Sequence, residues 1–344
     1  MFFERYLRQL FKKHLGVSPK AYALYQQCLF AKQLLHQTSL SITQVALASG
    51  FNSIRRFNDC FQSQLNLTPS EVRKLGKTKP NSLQLQLCYR PPYDWSSMQR
   101  FLSARAIPSL EWCNEQSYGR TFEWLECVGN FTAQHVEHEN RFDVAIELSD
   151  VTHLKPIVNN IRRILDLDVE IQAVEQNLKQ HFPEVTFQPG LRLPGIWNMF
   201  EAGIRAILGQ QISVVAAHDL VARLVDALGL DNEGKRLFPS PQSIVANDLS
   251  CLKIPASRKK TLQNLAQHYT NHDNPNDPQK WLKLKGIGPW TVDYAKLRGL
   301  SDPDIYLDGD LGVKKAVKNL AQHFNPDLAS PWRSYLTLQL WSKL

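Results

Sequence analysis

A glycine hairpin next to two aromatic residues has the composition of a binding site for a charged ligand. Gly286 and Gly288 allow backbone conformations and close approaches that other residues resist, and Pro289 has the fixed φ favoured at the first position of a helix. Two glycines whose amides open onto a helix N-terminus form a site for an anion, and phosphate is the obvious one. Trp290 and Tyr294 lie four residues apart, so they share one face of the predicted helix.

An aspartate downstream of the hairpin adds a group that could do chemistry. Asp310 follows an apolar run at residues 305–307 and directly precedes another predicted helix. Aspartate is a favoured N-cap, so capping alone would explain an isolated Asp at this place. The backbone amides that bind a capping carboxylate would also hold a catalytic carboxylate in one orientation, so the two roles are compatible. Asp308 is a rival for the catalytic role, two residues upstream.

The hairpin, the aromatic residues and the carboxylate together predict a site that processes a nucleotide. An enzyme that acts on a base must extrude the base and stack it in a pocket. A cationic base would gain attraction from the faces of Trp290 and Tyr294. The simpler alternative is that both rings only pack in the core, as aromatic residues at this spacing often do.

Length and charge indicate what positions these groups. The chain has 344 residues, enough for two or three domains. Its net charge of +8 is uneven, because residues 1–80 carry a net +9, residues 81–190 a net −6 and residues 191–344 a net +5. Binding of a polyanion is therefore predicted at the two ends, with the middle as a scaffold. No apolar run approaches the roughly 20 residues that a membrane-spanning helix needs.

Residues 1–78 are predicted to form a helix-turn-helix domain. A long helix begins at Pro19, and it is followed by a short helix, a turn at Gly50 and a further helix capped by an Asn or a Ser. Arg55 and Arg56 would face outward on that last helix, where they suit base edges and phosphates in a major groove. The alternative is an αα-hairpin with a solvated polar face.

The remaining chain is predicted to contain two further domains and to be mainly α-helical. Residues 76–82 are polar and turn-rich, which is typical of a linker. Residues 82–188 form an α+β subdomain with a small, mostly antiparallel sheet, and residues 189–344 are helical. Strands are predicted at residues 83–89, 121–128, 130–136 and 141–148, and helices at 98–106 and 154–165.

The N-terminal domain resembles the DNA-binding domain of AraC-type transcription regulators. The matching segments are residues 6–19, Ser49–Phe51 and Leu67–Pro69, with Phe57 and Phe61 between them. The resemblance implies two helix-turn-helix units joined by a long helix. Because the chain starts inside what would be the recognition helix of the first unit, we expect the second unit to be complete and the first to lack its leading helix.

Residues 83–344 resemble the AlkA-type DNA-3-methyladenine glycosylases of the helix-hairpin-helix superfamily. Several segments match in one order: Pro91–Trp95, Phe101–Ala106, Gly190–Gly195, Ala206–Ser213, Lys285–Thr291, Asp310–Gly312 and Pro331–Tyr335. The resemblance implies base excision repair, in which the N-glycosidic bond to an alkylated base such as 3-methyladenine is hydrolysed. Asp310 would stabilise the oxocarbenium-like sugar and orient or deprotonate the attacking water. The flipped base would be surrounded by four aromatic residues: Trp290, Tyr294, Trp341 and Phe101.

The same resemblance implies the contacts to DNA and to ions. The DNA contacts would come from Gly286, Gly288, Thr291, Gln210 and Gln211. Gln211 stands where some relatives carry a leucine that fills the gap left by the flipped base. The hairpin of the family commonly binds a monovalent cation, here through the backbone carbonyls of Leu282, Leu284 and Ile287.

The residue at position 290 also predicts the product. Lyase-type members of the superfamily carry a lysine nucleophile at this point, and Trp290 offers no amine for a Schiff base. We therefore expect an abasic site in an intact strand. No cofactor is expected to be required. The six cysteines are scattered without a C-x-x-C pair, and no four-cysteine run follows Trp341, so neither a zinc site nor an iron–sulfur cluster is expected.

The expected partner is double-stranded DNA with alkylated bases. The enzyme is expected to be a monomer and to act in the cytoplasm, at the bacterial nucleoid. RNA polymerase is a further partner if the N-terminal domain regulates transcription. The main alternative is an AraC-type regulator of the alkylation response whose glycosylase fold only senses damage. A third interpretation is a glycosylase for oxidised purines or uracil, although an uncharged lesion gains less from an aromatic pocket.

Overall fold

The computed structural model describes residues 2–75, 83–272, 274–318, 320 and 324–343. The linker predicted at residues 76–82 lies outside the described residues. Two compact units make up the chain. The first comprises residues 1–86, 124–129 and 143–159, and the second comprises residues 87–123, 130–142 and 160–344. Helices dominate and a small antiparallel sheet accompanies them, so the predicted fold class is confirmed.

The first unit opens with five helices. They are α1 (Phe2–Leu15), α2 (Pro19–Gln37), α3 (Ile42–Ala48), α4 (Ile54–Leu65) and α5 (Pro69–Lys74). The predicted long helix begins at Pro19, where Ser18 accepts a hydrogen bond from the Ala21 amide. Gly50 makes the turn between α3 and α4 with a φ of 81°, and Ser53 caps α4. This is the predicted helix-turn-helix arrangement.

A five-stranded sheet follows, with the spatial order β1-β5-β4-β3-β2. Its strands are β1 (Leu83–Cys88), β2 (Glu111–Cys113), β3 (Ser117–Trp124), β4 (Cys127–Val136) and β5 (Arg141–Leu148). β2 pairs antiparallel with β3, and Glu111 lies opposite Arg120. The strand predicted at residues 121–128 was wrong, because the chain turns at Leu125, whose φ is 56°. A leucine gives no sequence signal for such a turn.

Three helices belong to the part of the chain around the sheet: α6 (Trp95–Ser103), α7 (Leu154–Ile164) and α8 (Ile171–His181). Short 3₁₀ turns lie at Glu137–Glu139 and Val151–His153. The helix predicted at residues 98–106 begins three residues earlier, because the side chain of Asp94 caps α6 by accepting a hydrogen bond from the Ser97 amide.

The C-terminal part is helical, as predicted, with one short ribbon. Its helices are α9 (Met199–Gly209), α10 (Val214–Leu228), α11 (Pro241–Ala246), α12 (Ala256–Asn271), α13 (Pro278–Trp281), α14 (Pro289–Ala295), α15 (Leu311–Val317) and α16 (Arg333–Trp341). A π-helical turn, Lys296–Leu300, continues α14, and a 3₁₀ turn lies at Pro326–Ala329. The ribbon pairs β6 (Asp231–Asn232) with β7 (Lys235–Arg236).

The helix α9 lies at the centre of this helical part and packs against α10, α12 and α14. It approaches the buried ring of Trp281 at Gly203, where a Cβ atom would lie only 2.8 Å from that ring. The close contact fixes α9 against α13 and so fixes the loop that follows each of them. Within the described part of the chain, no helix is long and apolar enough to cross a bilayer.

Candidate active site

The glycine hairpin connects α13 to α14, and the structure shows why it needs its first glycine. Gly286 has a φ of 94°, and a Cβ atom there would lie 2.0 Å from Oγ1 of Thr261. That hydroxyl donates a hydrogen bond to the carbonyl of Lys285, at 3.2 Å. Gly288 precedes Pro289, the first residue of α14, and no side chain caps this helix. The helix α14 therefore begins at Pro289, as predicted.

Gln210 braces the hairpin from the loop after α9. Its side-chain amide donates to the carbonyl of Gly286 at 3.2 Å and to the hydroxyl of Thr291 at 3.0 Å. Thr291 is buried. These two side chains hold the hairpin in place. The DNA contacts predicted for Gln210, Thr291 and both glycines stay predictions.

The next residue, Gln211, is exposed and has a φ of 59°. It stands at the tip of the loop between α9 and α10. The neighbouring apolar residues Ile212, Val214 and Val215 are also exposed, the last of them by 70%. An exposed apolar tip is suited to insertion into a base stack, so the wedge predicted for Gln211 has apolar residues beside it.

Asp310 caps α15 and has four hydrogen-bond donors among the described residues. Its Oδ1 accepts from the amides of Gly312 (2.9 Å) and Val313 (3.1 Å) and from the indole of Trp341 (3.0 Å). Its Oδ2 accepts from the indole of Trp290, at 3.2 Å. The cap therefore also holds the carboxylate in one orientation, as predicted, and the catalytic role of Asp310 stays a prediction. Asp308 is exposed and makes none of these contacts.

The four predicted aromatic residues line one cavity with Asp310. The cavity has a volume of about 1160 Å³ and lies in the second unit. Trp290 and Tyr294 stack with ring centroids 5.3 Å apart, and Phe101 and Trp341 stack at 6.3 Å. The structure thus brings together residues that lie as much as 240 positions apart in the sequence.

Two of the arginines that line the same cavity lie over an aromatic ring of its wall, and neither was predicted as a site residue. The guanidinium carbon of Arg105 lies 3.8 Å from the centroid of the Phe101 ring, and that of Arg298 lies 4.6 Å from the same centroid. Arg298 is only 3% exposed. Arg105 stands four residues after Phe101, a spacing that places both on one face of a helix and could have suggested the pairing.

A buried network of opposite charges supports this wall of the cavity. Arg120 makes a two-pronged contact with Glu201, through distances of 2.8 and 3.2 Å. Arg205 donates to Glu201 at 2.9 Å and to Glu111 at 2.7 Å, and Tyr118 donates to Glu111 at 2.8 Å. We call Glu111, Arg120, Glu201 and Arg205 the buried quartet.

The environments of these charges shift their pKa values in different directions. Burial raises the pKa of Glu111, but Arg205 and Arg120 outweigh it and bring the pKa to about 2. Burial lowers the pKa of Arg105 to about 10, and burial also lowers the pKa of Arg298. Each member of the buried quartet is paired with a residue of opposite charge. The hydrogen bonds of Arg105 and Arg298, in contrast, go to neutral oxygens.

The remaining predicted residues lie apart from this cavity. Arg55 and Arg56 are exposed on α4 of the first unit. In the hairpin, the carbonyl of Leu284 accepts a hydrogen bond from the amide of Ile287, at 3.1 Å. Leu282 is exposed. No group of three or more His, Cys, Asp and Glu side chains suited to a metal occurs in the described ranges.

Comparisons with known proteins find matches for both the N-terminal region and the rest of the chain. Residues 3–75 match the model of a helix-turn-helix domain, and residues 84–198 match the model of the AlkA N-terminal domain. The fold is also that of a solved structure, the 3-methyladenine DNA glycosylase from Archaeoglobus fulgidus. The TM-score is 0.59 at 18% identity, over 74% of this chain and 96% of that one.

Two relatives match over longer stretches. A probable bifunctional transcriptional activator/DNA repair enzyme AlkA from Mycobacterium tuberculosis is 32% identical, over 99% of this chain and 74% of that protein. DNA-3-methyladenine glycosylase 2 of Escherichia coli is 34% identical, over 74% of this chain and 95% of that protein. Fold and cavity define a helix-hairpin-helix protein with one carboxylate among aromatic rings. The chain belongs to the AlkA-type family of DNA-3-methyladenine glycosylases.

Proposed function

We propose that the protein is a DNA glycosylase that hydrolyses the N-glycosidic bond of alkylated bases, including 3-methyladenine, and leaves an abasic site. The carboxylate of Asp310, held between two indoles at a cavity with room for a base, is the observation that carries the proposal. Known ligand pockets of about 300–1,000 Å³ hold molecules larger than a purine. The name of the Escherichia coli relative supports the same substrate, and that of the Mycobacterium tuberculosis relative supports DNA repair.

The geometry gives each oxygen of Asp310 a different task. Oδ1 accepts three hydrogen bonds, from two amides and Trp341, and so fixes the orientation of the carboxylate. Oδ2 accepts one, from Trp290, and keeps capacity for a further donor. In the reaction the bond from C1′ to the base breaks and the base takes the electron pair. Oδ2 faces the positive charge that develops on the sugar, and it accepts a proton from the attacking water.

Release of free base from methylated duplex DNA tests the proposal. Asp310→Asn should lower the rate on the order of 10²–10³-fold, because the charge that stabilises the sugar is lost. Asparagine is also a good N-cap, so α15 should keep its start. Asp308→Asn is the matched control, since Asp308 is exposed, and it should keep the wild-type rate. Wild-type release by Asp310→Asn would exclude Asp310 as the catalytic group.

We also propose that the strand stays intact and that no cofactor takes part. Trp290 stands in the hairpin helix and offers no nucleophilic amine. Product DNA should break only after treatment with alkali. The hairpin carbonyls of Leu282, Leu284 and Ile287 are oxygen ligands of the kind that bind alkali cations, and a carbonyl that already accepts one hydrogen bond keeps a second lone pair. They would hold such an ion for structural purposes.

A second function, DNA binding by the helix-turn-helix region, is favoured by the exposed arginines of α4. Arg55 and Arg56 follow the capping residue Ser53, which accepts a hydrogen bond from the Arg56 amide at 3.2 Å. The relative from Mycobacterium tuberculosis is named as both an activator and a repair enzyme. We propose duplex DNA at the nucleoid as the target, with RNA polymerase as a further partner and the protein as a monomer.

Replacing both arginines by alanine separates the two functions. The double variant should bind undamaged duplex more weakly, and the slope of log affinity against log salt should decrease by about one for each phosphate that the variant no longer neutralises. Its rate of base release at saturating enzyme should stay unchanged. An unaltered affinity and slope would show that α4 does not contact DNA.

A further inference from the structure

The inner wall of the cavity carries two guanidiniums on the faces of its aromatic rings. Those of Arg105 and Arg298 both lie over Phe101, and that of Arg298 also lies 5.7 Å from the ring centroid of Tyr294. An aromatic face attracts one cation at a time. Because guanidiniums already lie over these two rings, the rings attract a cationic base less strongly. The indoles of Trp290 and Trp341 lie at the carboxylate instead.

Both guanidiniums have donors left over. Arg105 donates through Nη1 to the carbonyl of Phe101 at 3.2 Å, and Arg298 donates through Nη1 to the hydroxyl of Tyr294 at 3.1 Å and through Nε to the carbonyl of Pro194. Among the residues that the structure describes, no acceptor meets Nη2 of either arginine or Nε of Arg105. Both residues line the cavity, so a molecule in the cavity can meet these groups.

The charges of Arg105 and Arg298 are incompletely compensated. Burial of a charge without a partner of opposite sign costs free energy, and burial lowers the pKa of both groups accordingly. Glu111, a carboxylate of this wall, is already paired with Arg205 and Arg120. An acceptor oxygen on a ligand would therefore gain more here than in water, and a positive charge would be repelled.

We propose that Arg105 and Arg298 determine which bases are excised, by donating hydrogen bonds to an oxygen of a neutral flipped base. The inference rests on the proposed function, because only a flipped base would occupy the cavity. When the bond from C1′ breaks, a neutral base takes the electron pair and becomes an anion, whose charge is shared with its carbonyl oxygen. The guanidiniums stabilise that charge until solvent protonates the base, while water bonds to C1′ and gives its proton to Asp310.

A cationic base does not need this help. It becomes neutral when it takes the electron pair, so the guanidiniums offer its departure no stabilisation and oppose its binding. The two arginines therefore separate two substrate classes: neutral bases with a ring carbonyl, which depend on them, and alkylated cationic bases, which do not.

Single-turnover release from two duplexes of one sequence tests this separation. One duplex contains hypoxanthine, a neutral base with a carbonyl, and the other contains 3-methyladenine, a cation without an oxygen atom. Arg298→Met and Arg105→Met should each lower hypoxanthine release about tenfold or more, the usual scale of a hydrogen bond to a charged group, and should lower 3-methyladenine release much less or raise it. Exposed Arg223 of α10 provides the matched control, and Arg223→Met should change neither rate.

Other outcomes overturn the inference. An equal loss for both bases would assign the arginines a structural role, and unchanged rates would assign them none. If Arg298→Met does not fold, Arg298→Lys must keep part of the hypoxanthine activity and Arg105→Met must still lose it selectively. If 3-methyladenine is released and the ratio of the two rates is unaltered in all variants, the inference is refuted and the proposed function stands. A wild-type protein that releases neither base refutes both.

Discussion

Two groups of buried charged residues lie at or behind the wall of the cavity. They differ in whether each charge is paired with a charge of opposite sign. In the buried quartet each charge meets an opposite one, for example Arg120 with Glu201 and Arg205 with Glu111. Within the described residues, the hydrogen bonds of Asp310, Arg105 and Arg298 go to neutral groups, namely indoles, amides, a hydroxyl and carbonyls. Charges that are fully paired have little left for a ligand, whereas charges paired with neutral groups can still respond to one.

The comparison teaches where to look for function in a wall made of many charged residues. All seven charges are wholly or partly buried, so burial alone does not separate them. Perturbed pKa values do not separate them either, because the pKa of Glu111 falls to about 2 within a structural pair while the pKa of Arg105 falls to about 10 beside the cavity. A hydrogen-bonded partner of opposite charge does separate them, because each member of the buried quartet has one. Predictions on both groups can therefore test the distinction.

Breaking the buried quartet should have the largest effect on stability. Glu201→Gln leaves Arg120 and Arg205 buried without their shared carboxylate, so the free energy of unfolding should fall by about 3–5 kcal/mol, as for other broken buried pairs. Denaturant titration measures this. Glu184→Gln, at an exposed glutamate, is the control and should change stability little. A loss for Glu201→Gln no greater than that of the control would mean that the quartet does not hold the fold.

Removing one indole donor at a time should affect rate and leave the fold intact. Oδ2 of Asp310 has one donor, Trp290, whereas Oδ1 has three, so Trp290→Phe should slow base release by about tenfold and Trp341→Phe by less. Phenylalanine keeps an aromatic surface at each position. Single-turnover kinetics give the two rates, with Trp332→Phe as the control. A larger effect at Trp341 would contradict the roles assigned to the two oxygens.

The sequence predicted one side of this comparison much better than the other. Trp290 and the cap at Asp310 could be predicted because hairpins and helix starts are local, set by residues within four positions of each other. The buried quartet could not, because it depends on the pairing of β2 with β3 and on the packing of both against α9. The turn at Leu125 was missed for a related reason, since the tight connection between the paired strands β3 and β4 imposes a left-handed φ there on a residue that does not favour it.

The role of Gln210 shows the same limit within the site itself. The family resemblance implies that Gln210 contacts DNA, and the structure adds that its amide donates to Gly286 and Thr291, more than 70 positions away. A polar side chain beside a glycine loop can hydrogen-bond either to the ligand or to the loop itself. Only the three-dimensional structure shows that the loop uses Gln210 as an internal brace.

Asp166 is a third case, a half-buried carboxylate that does not line the cavity, and it should give the smallest effect. Burial raises its pKa to about 6, although the Leu193 amide, Arg192 and the Tyr335 hydroxyl act in the opposite direction. The folded-state pKa then exceeds the unfolded one, so the contribution to stability is complete below about pH 4 and is lost as the pH rises through 6. Asp166→Asn removes this titration and tolerates the φ of 53°.

Relative to wild type, the Asp166→Asn variant should therefore gain stability between pH 4 and pH 7, by about 1–3 kcal/mol. Denaturant titrations across that range measure the difference, and base release at pH 7 should not change because Asp166 does not line the cavity. A difference that is constant with pH would mean that Asp166 is compensated in the fold as fully as Glu111. A change in base release would mean that an incompletely paired charge matters for function even away from the substrate.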